Sequence, residues 1–260
     1  MNKNTCNDLK NEVVKFLKER GVYKVRVASP LFGFEKAIKG CRPLDVMKQA
    51  KSVIAFAIHI GEDYYKTVKI KGKTVGDDRI GYIFRDWLAY ELTEFLKAKG
   101  YNAQVPSGHF DRDKKIAKFS FKMAAHEAGV GVFGKSGVVI TPEYGPRVNI
   151  GAVVTDAILE PDEKLNFNPC QTCNVCVQVC PAKAIRENLE PPLSFNRDKC
   201  INFIQALRNE TGDDKFFCGY CYDKCPVGKT RKRGFTISSY KRLENLKPKE
   251  RERLIRRAKT

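Results

Sequence analysis

Two segments of the chain have the hydrophobic spacing of an amphipathic helix. In residues 6–20 one face is apolar, and Gly21 follows where the pattern stops. The longer segment begins after Asp77 and Asp78, which are suited to cap a helix, and ends at Gly100. The apolar positions are Leu9, Val13, Phe16 and Leu17 in the first segment and Ile80, Ile83, Phe84, Trp87, Leu88, Leu92, Phe95 and Leu96 in the second. We predict a helix for each segment.

Five other segments have the composition and alternation of β-strands. The run KSVIAFAIHI is apolar and rich in β-branched and aromatic residues, which favours a buried strand. The five segments are residues 22–29, 51–60, 101–105, 137–144 and 147–158, and the last two are joined through Tyr144-Gly145-Pro146. Residues 113–128 have a helical pattern. The predicted fold class is α+β, with helices packed on a largely antiparallel sheet.

The chain is long enough for one large domain or two smaller ones, at 260 residues. The segment EPDEKLNFNP, residues 160–169, has the composition of a junction. The sequence therefore predicts a first domain over residues 1–165, a cysteine-rich domain over residues 166–230 and a basic tail over residues 231–260.

The positive charge of the chain is concentrated at its C-terminal end. The formal net charge is +18, and residues 226–260 contain 13 Lys and Arg residues against three Glu, a net charge of +10. Such a segment is typical of proteins with phosphate-rich or acidic partners, so we expect RNA or an acidic electron donor to bind there. A solvated, highly charged helical end is the alternative interpretation.

Eight of the ten cysteines form two runs, each ending in Cys-Pro. A C-x2-C-x2-C loop can supply three thiolates to one [4Fe–4S] cubane, and in two-cluster ferredoxins the cysteine before proline ligates the other cluster. We therefore predict two [4Fe–4S] clusters, and a loop or helix in the 17 residues between Cys200 and Cys218. The predicted ligands are Cys170, Cys173, Cys176 and Cys225 for the first cluster and Cys180, Cys200, Cys218 and Cys221 for the second.

Structural zinc and disulfides are the competing interpretations of these cysteines. Zinc knuckles also use C-x2-C pairs, but the cysteine triplet and the repeated Cys-Pro are typical of clusters. Disulfides would need an oxidising compartment, whereas the N-terminal residues lack the apolar region of a signal peptide. The apolar runs are shorter than the ~20 residues of a membrane span, so we expect a soluble, cytoplasmic protein without a membrane partner. Cys6 and Cys41 are expected to be buried and inert.

Gly129, Gly131 and Gly134 spell G-x-G-x-x-G, the pattern of a dinucleotide-binding turn. That fingerprint follows a strand and opens a helix, whereas these glycines follow a predicted helix and precede a predicted strand. A helix C-cap and a tight turn fit better, and the bare amides beside Lys135 would let a large anionic or planar ligand approach. A helix end without a ligand is the alternative. His126, on the predicted helix, is expected to be solvated.

One long segment and the cysteine runs resemble a known group of enzymes. The segment MAAHEAGVGVFGKSGVVITPEYGPRVNIGAVVTD, followed by CQTCNVCVQVCPAKAI, Cys200 and CGYCYDKCPVG, resembles the epoxyqueuosine reductases and, more distantly, the corrinoid reductive dehalogenases. The stretch GCRPLDVMKQAKSVIAFAIHI is consistent with the same group. The resemblance covers about residues 10–230, and its specific parts are the A-G-x-G-x-x-G-K turn and the order of the cysteine runs.

The resemblance implies a nitroreductase-like first domain that holds cobalamin and a ferredoxin-like second domain whose two clusters deliver electrons to the cobalt. All-thiolate ligation favours the low potential that this delivery needs. A ferredoxin or a flavodoxin would be the electron donor. Candidates for cofactor binding are Gly129, Gly131, Gly134, Lys135 and Arg147, the last on the strand that faces the glycine turn.

Two features of the resembled enzymes are changed in this chain. Their general acid lies in a D-x-x-P sequence ahead of the A-G-x-G helix, whereas HFDRDKKIAKF contains Asp111 and Asp113 without the proline. Asp113 is the first candidate acid, and His109 is the second because imidazole titrates near neutrality. Epoxyqueuosine reductases also commonly carry a helical-repeat extension that holds transfer RNA, and the 35 residues after Cys225 are expected to be too few for one.

The sequence leaves three functions open. The first is a cobalamin-dependent iron–sulfur reductase, which the retained glycine turn and the large first domain favour. The second is an electron-transfer relay of the same fold without corrin chemistry, which the missing D-x-x-P sequence favours. The third is an RNA-binding protein with structural clusters, and only the positive charge favours it.

Overall fold

The computed structural model describes residues 3–35, 37–59, 69–70, 73–74, 79–111, 116–211 and 218–228. Its helices are α1 (Lys3–Lys18), α2 (Pro43–Val46), α3 (Arg79–Ala98), α4 (Phe121–Glu127), α5 (Val175–Val179), α6 (Arg197–Thr211) and α7 (Tyr220–Asp223). Its strands are β1 (Lys24–Ala28), β2 (Ser52–Ile58), β3 (Lys69–Ile70), β4 (Lys73–Thr74), β5 (Ala103–Gln104), β6 (Phe110–Asp111), β7 (Ile116–Ala117), β8 (Val132–Phe133), β9 (Val139–Ile140) and β10 (Asn149–Thr155). Within this part of the chain, no helix is long and apolar enough to cross a membrane.

The described residues divide between two compact units. The first contains residues up to 59 together with 79–132 and 148–167, and the second contains 69–70, 73–74, 133–147 and the described residues from 168 onward. The border between Phe167 and Asn168 lies within the predicted junction. Residues 133–147 differ from the sequence prediction, which assigned them to the first domain, because their contacts are with the cysteine-rich segments described below.

A four-stranded antiparallel sheet forms the centre of the first unit. Its strand order is β1-β2-β10-β5, so β2 pairs with both β1 and β10. Ile54 lies opposite Val27 on one side and Val153 on the other. Every residue of β2 is buried, as the apolar run predicts. The predicted combination of helices with an antiparallel sheet is confirmed.

Three helices pack on this sheet, and the two long ones do so through the apolar faces that the sequence predicts. Helix α1 contacts β1 and α3, helix α3 contacts β10 and β5, and helix α4 contacts β10 and β2. Phe16 of α1 stacks on Phe95 of α3 with ring centroids 4.5 Å apart. Burying one Leu or Val side chain contributes about 1.5–3 kcal/mol. The large apolar side chains that are buried on the two long helices include Leu9, Val13, Leu17, Leu88, Leu92 and Leu96.

The predicted apolar face of α3 is wider than the face that contacts the sheet. Trp87 is 45% exposed, whereas its neighbour Leu88 is fully buried. Trp87 stacks on Phe84 instead, with ring centroids 5.6 Å apart. The predicted caps Asp77 and Asp78 lie outside the described residues.

The predicted helix over residues 113–128 is wrong at its start. Helix α4 begins at Phe121, where the Ser120 Oγ accepts a hydrogen bond from the Met123 N–H at 3.2 Å and caps the first turn. The preceding strand β7 pairs with β6, so backbone pairing replaces the predicted helical turn there. The last two predicted strands also differ: β9 pairs with β8, whereas β10 joins the four-stranded sheet.

The second unit is built from short elements and turns. Helix α5 packs on α7, and α6 begins shortly before Cys200. Helix α6 also occupies much of the interval between Cys200 and Cys218, which confirms a helix in the described part of that interval. The buried residues of this unit include Ala184, Ile185, Ser194, Phe203, Leu207 and Tyr220. This small core positions the cysteine-bearing turns.

Candidate metal centres

The eight predicted cluster ligands all lie in the second unit, on short helices or next to them. Cys176 is on α5, Cys200 is on α6 and Cys221 is on α7, while the other five are in the adjoining turns. All eight are free thiols that are partly exposed. The disulfide interpretation is therefore wrong for these residues.

One set of four thiols consists of Cys176 and three thiols close to it. Burial raises the pKa of Cys176 to about 11, and the neighbouring Cys170, Cys173 and Cys225 thiols contribute to the rise. Burial also raises the pKa of Cys225, with further contributions from Cys170 and Cys173. These four cysteines have the same membership as the first predicted ligand set.

A second set of four thiols consists of Cys218, Cys221 and two thiols close to them. Burial raises the pKa of Cys218 to about 12, and Cys200 and Cys180 contribute to the rise. The pKa of Cys221 is raised well above its ordinary value, first by burial and then by Cys218, Cys200 and Cys180. Cys176 of the first set also acts on Cys221, so the two sets adjoin at this point.

Both sets match the donor chemistry of an iron–sulfur cubane, which takes one thiolate per iron and is stabilised by hydrogen bonds to its sulfurs. The Ala184 N–H donates to Cys180 Sγ over 3.3 Å. Three more thiols are hydrogen-bonded by backbone groups, in the pairs Lys135 with Cys170, Tyr220 with Cys218 and Val227 with Cys225. Each set can therefore hold four thiolates with part of their charge already compensated.

The protonation of these thiols makes metal binding a proton-releasing reaction. The raised pKa values of Cys176 and Cys218 keep both thiols protonated at neutral pH, so a metal must displace those protons.

A single zinc ion would need three or four ligands around one point. The described residues contain no group of three His, Cys, Asp or Glu side chains arranged to hold one metal ion.

The glycine turn is explained by packing within the chain. Helix α4 ends at Glu127, and Gly129 follows with φ +74°, which confirms the predicted helix end and turn. A Cβ on Gly129 would lie 2.3 Å from the Glu163 carbonyl oxygen. A Cβ on Gly134 would lie 2.8 Å from Ile140 Cγ1 and 3.5 Å from Cys170 Sγ. The close approaches at these two glycines are therefore made by the protein's own atoms.

Lys135 is a buried cation beside the first cysteine set. Lys135 is 6% exposed, and its Nζ donates a hydrogen bond to Asn174 Oδ1 at 2.8 Å. The Asn174 amide in turn donates to the Glu187 carboxylate. The Lys135 carbonyl accepts a hydrogen bond from the buried Ser194 Oγ at 2.9 Å. Lys135 thus lies at the predicted site, but its contacts are with the cluster segment.

Arg147 holds the turn that carries Cys225. Its guanidinium donates to the carbonyl oxygens of Val227 at 2.8 Å, Cys225 at 2.6 Å and Asp223 at 3.2 Å. The residue is 8% exposed, and its charge lowers the pKa of Cys225 against the effect of burial. The sequence predicted a cofactor contact for Arg147, whereas the structure directs these donors to the backbone.

The candidate general acids lie in the first unit or outside the described residues. Asp113 is outside the described residues, and Asp111 is described only as part of strand β6. His109 is exposed, and its backbone N–H donates to Ser107 Oγ at 3.3 Å.

Two residues at the end of α4 were missed by sequence reasoning. His126 was expected to be solvated, but it is half-buried and burial lowers its pKa. Glu127 is buried, and its carboxylate pairs with Lys164 Nζ at 2.5 Å. The polar sequence His-Glu gave no sign of burial, because the covering residues come from distant segments.

Curated proteins similar to this chain are reductases of two kinds. The epoxyqueuosine reductase of Bacillus subtilis is 26% identical over 255 residues, which cover 85% of this chain and 64% of that protein. The tetrachloroethene reductive dehalogenase of Desulfitobacterium hafniense is 34% identical over 146 residues, which cover 54% of this chain and 24% of the dehalogenase. The chain therefore spans less than two thirds of the length of these relatives. No protein-family model matches it.

Solved structures show the same fold. A crystal structure of epoxyqueuosine reductase with a tRNA-Tyr stem loop superposes with a TM-score of 0.63 at 21% identity, covering 96% of this chain and 80% of that one. A reductive dehalogenase described in terms of B12-dependent dehalogenation has a TM-score of 0.63 at 16% identity, with coverages of 96% and 36%. In fold and sequence the chain is thus similar to reductases of two kinds, and it carries two sets of cysteines. Its homologues are the epoxyqueuosine reductases and the reductive dehalogenases, as the motifs predict.

Proposed function

We propose that this chain is an iron–sulfur oxidoreductase in which two [4Fe–4S] clusters deliver electrons to a corrinoid cobalt. The observation that carries the cluster assignment is the grouping of eight free thiols into two adjoining sets of four. The corrinoid acceptor is supported by the similarity to reductive dehalogenases, one of which is described in terms of B12-dependent chemistry. The cubanes would exchange single electrons with a low-potential donor such as a ferredoxin or flavodoxin.

The residues that the sequence suggested for corrinoid binding do not line an open binding pocket. The space beside Gly129 and Gly134 is filled by the protein's own atoms, and Lys135 and Arg147 bind the cluster segments. This observation favours a second candidate function, an electron-transfer relay of the same fold that serves a partner enzyme. The two candidates share the clusters and differ only in the acceptor.

A cobalamin-binding experiment separates the two candidates. Anaerobically reconstituted protein is mixed with hydroxocobalamin and passed through a gel-filtration column, and the visible spectrum is recorded before and after addition of dithionite. The reductase proposal predicts co-elution of the corrinoid and a spectral change that depends on the clusters. The control is Cys173→Ala, which removes one ligand of the first set. Free elution of the corrinoid from a protein that retains its iron would replace the reductase proposal with the relay.

Proton delivery to a reduced substrate is the proposed role of Asp113, with His109 as the alternative acid. The similarity to epoxyqueuosine reductases makes a transfer RNA stem loop that contains epoxyqueuosine the first substrate to test. Asp113→Asn should abolish turnover and leave the iron content unchanged. Unaltered turnover would remove Asp113 from the proposal, and the same assay on His109→Gln tests the alternative.

An RNA or other phosphate-rich partner is proposed for the basic tail, residues 231–260, which lies outside the described residues. Binding through phosphate contacts weakens linearly in log–log form as salt is raised, because counterions are released. We expect stem-loop binding to decrease steeply with salt and to disappear when residues 231–260 are deleted. Salt-independent binding, or full binding after the deletion, would exclude the tail as the contact.

A further inference from the structure

We propose that Lys135 and Arg147 are positioning residues for the first cluster. They hold in place the two chain segments that supply its ligands, and so decide whether that cluster is assembled and retained. The ligands of the first cluster are Cys170, Cys173 and Cys176 from one segment and Cys225 from the other. This role rests on the proposed function, because it requires the clusters to be present.

Both residues belong to a segment of the second unit, residues 133–147, that is closed by tight turns. Thr141 and Gly145 exchange two backbone hydrogen bonds at 3.0 and 2.8 Å, which fix the shape of this segment. Lys135 lies near its start and Arg147 at its end, and both are buried. Lysine and arginine are rarely buried without partners, so the contacts of these two side chains show what the segment holds.

Lys135 binds the segment that carries the cysteine triplet, since its Nζ donates to Asn174 Oδ1 at 2.8 Å. Asn174 directly follows Cys173 and is the N-cap residue of α5, where an asparagine side chain ordinarily caps its own helix. Asn174 makes no capping bond, and its Oδ1 accepts from Lys135 instead. The backbone is also close here, because a Cβ on Gly134 would lie 3.5 Å from Cys170 Sγ. Lys135 therefore fixes the triplet at its middle.

Arg147 binds the segment that carries Cys225. Its guanidinium donates to the carbonyl oxygens of residues 223, 225 and 227, at 3.2, 2.6 and 2.8 Å. A guanidinium presents its donors in a rigid planar fork, so the three acceptors are held in one arrangement. The shortest of these bonds goes to the ligand residue itself and fixes the backbone from which the Cys225 thiol projects.

Two glycines let the same segment approach the turn of Cys225 at backbone distance. A Cβ on Gly145 would lie 2.2 Å from the Val227 carbonyl oxygen, and a Cβ on Gly228 would lie 2.4 Å from the Tyr144 carbonyl carbon. Both positions therefore require glycine for this contact. The segment is thus bound at one end to the cysteine triplet and at the other to the turn of the fourth ligand.

The second set has connections of its own. The Ala184 N–H donates to Cys180 Sγ at 3.3 Å, and the Ala184 carbonyl oxygen accepts from the Asn196 N–H at 2.7 Å. The Asn196 carbonyl oxygen accepts in turn from the Cys200 N–H at 3.3 Å, and α7, which carries Cys221, has its own backbone bonds. These bonds do not involve either cation. Loss of the Lys135 or Arg147 side chain should therefore release the first cluster and leave the second.

The experiment measures iron in full-length holoprotein that is isolated anaerobically. Lys135→Met and Arg147→Gln should each contain about four irons per chain instead of about eight. Residues that orient metal ligands contribute about 10–100-fold to metal affinity, so any iron left in the first set should pass to a chelator at least about tenfold faster than in wild type. The matched control is Arg197→Gln, which removes an exposed arginine at the start of α6 and should behave like wild type.

Alkylation identifies the cluster that is lost, because a thiol bound to iron is protected from iodoacetamide. Peptide mass spectrometry of Lys135→Met and Arg147→Gln should find the first set of cysteines labelled and the second set protected. The EPR signal of one reduced cluster should remain. A general loss of the fold would instead expose both sets. Arg147→Lys keeps the charge but not the planar fork, so it should still release iron faster than wild type.

Labelling of both sets, or protection of both, in Lys135→Met and Arg147→Gln would overturn the positioning role. Iron release at the wild-type rate in Arg147→Lys would also overturn it, because charge alone would then be sufficient. If one of the two variants takes up no iron at all, the other decides. Wild-type protein without any cluster would instead contradict the proposed function itself.

Discussion

Gly129→Ala tests whether the glycine turn is required by packing within the chain. Two costs add at this position. An L-residue held at φ +74° costs about 1–2 kcal/mol, and the new Cβ would lie 2.3 Å from the Glu163 carbonyl oxygen. A backbone atom cannot rotate away as a flexible side chain can, so overpacking adds about 1–3 kcal/mol. We expect Gly129→Ala to lower the free energy of unfolding by about 2–5 kcal/mol.

The matched control is Gly21→Ala. Gly21 has φ +87°, but a Cβ there would meet nothing within 4 Å, so only the conformational cost applies. Both substitutions restrict the unfolded chain to the same extent, and that contribution cancels in the comparison. Urea unfolding of anaerobically prepared holoprotein, followed by circular dichroism, gives the two values. Equal losses in Gly129→Ala and Gly21→Ala would refute the packing explanation and return the glycine turn to a ligand-binding role.

Three further outcomes follow from the described contacts. Burial lowers the pKa of His126 below 6.5, so in acid the native state binds fewer protons than the unfolded state. The native state therefore has its full stability above pH 6.5 and loses part of it as the pH falls below that value. The free energy of unfolding, measured against pH, should therefore decrease in acid less steeply in His126→Gln than in wild type, and parallel curves would contradict this. Asp162→Ala removes the bonds from Val27, Arg26 and Lys10 and should lower the free energy of unfolding by about 2 kcal/mol. The control Glu94→Ala breaks an exposed pair with Lys97 and should lower it by about 0.5 kcal/mol or less. Similar losses in the two variants would contradict a stabilising role for Asp162. Cys173→Ala should reduce the iron content by about half. An unchanged iron content would contradict the assignment of Cys173 as a ligand of the first cluster.

The main elements of the first unit could be predicted because local spacing and tertiary packing agree. The helical face of α1 and the apolar run of β2 are buried as their patterns indicate. The predicted helix start at residue 113 failed because α4 is capped at Ser120 and the preceding residues pair as strands. Strand pairing of two-residue segments leaves almost no periodic signal in a sequence.

The cysteine sets could be predicted because cluster geometry constrains ligand spacing directly. The roles of Lys135 and Arg147 could not, because they depend on partners about 40 and 80 residues away. A lysine after a glycine turn is typical of anion binding, and the sequence contains nothing to show that Asn174 occupies its ammonium group. The interleaving of residues 133–147 with the cysteine-rich unit was missed for the same reason.

We propose that eight thiolates of this chain hold two iron–sulfur cubanes. Iron, acid-labile sulfide and zinc are determined on protein isolated and kept under anaerobic conditions, together with the EPR spectrum after reduction. We expect about eight irons and eight sulfides per chain, with signals of reduced [4Fe–4S] clusters. Stoichiometric zinc, or fewer than about four irons per chain, would contradict it.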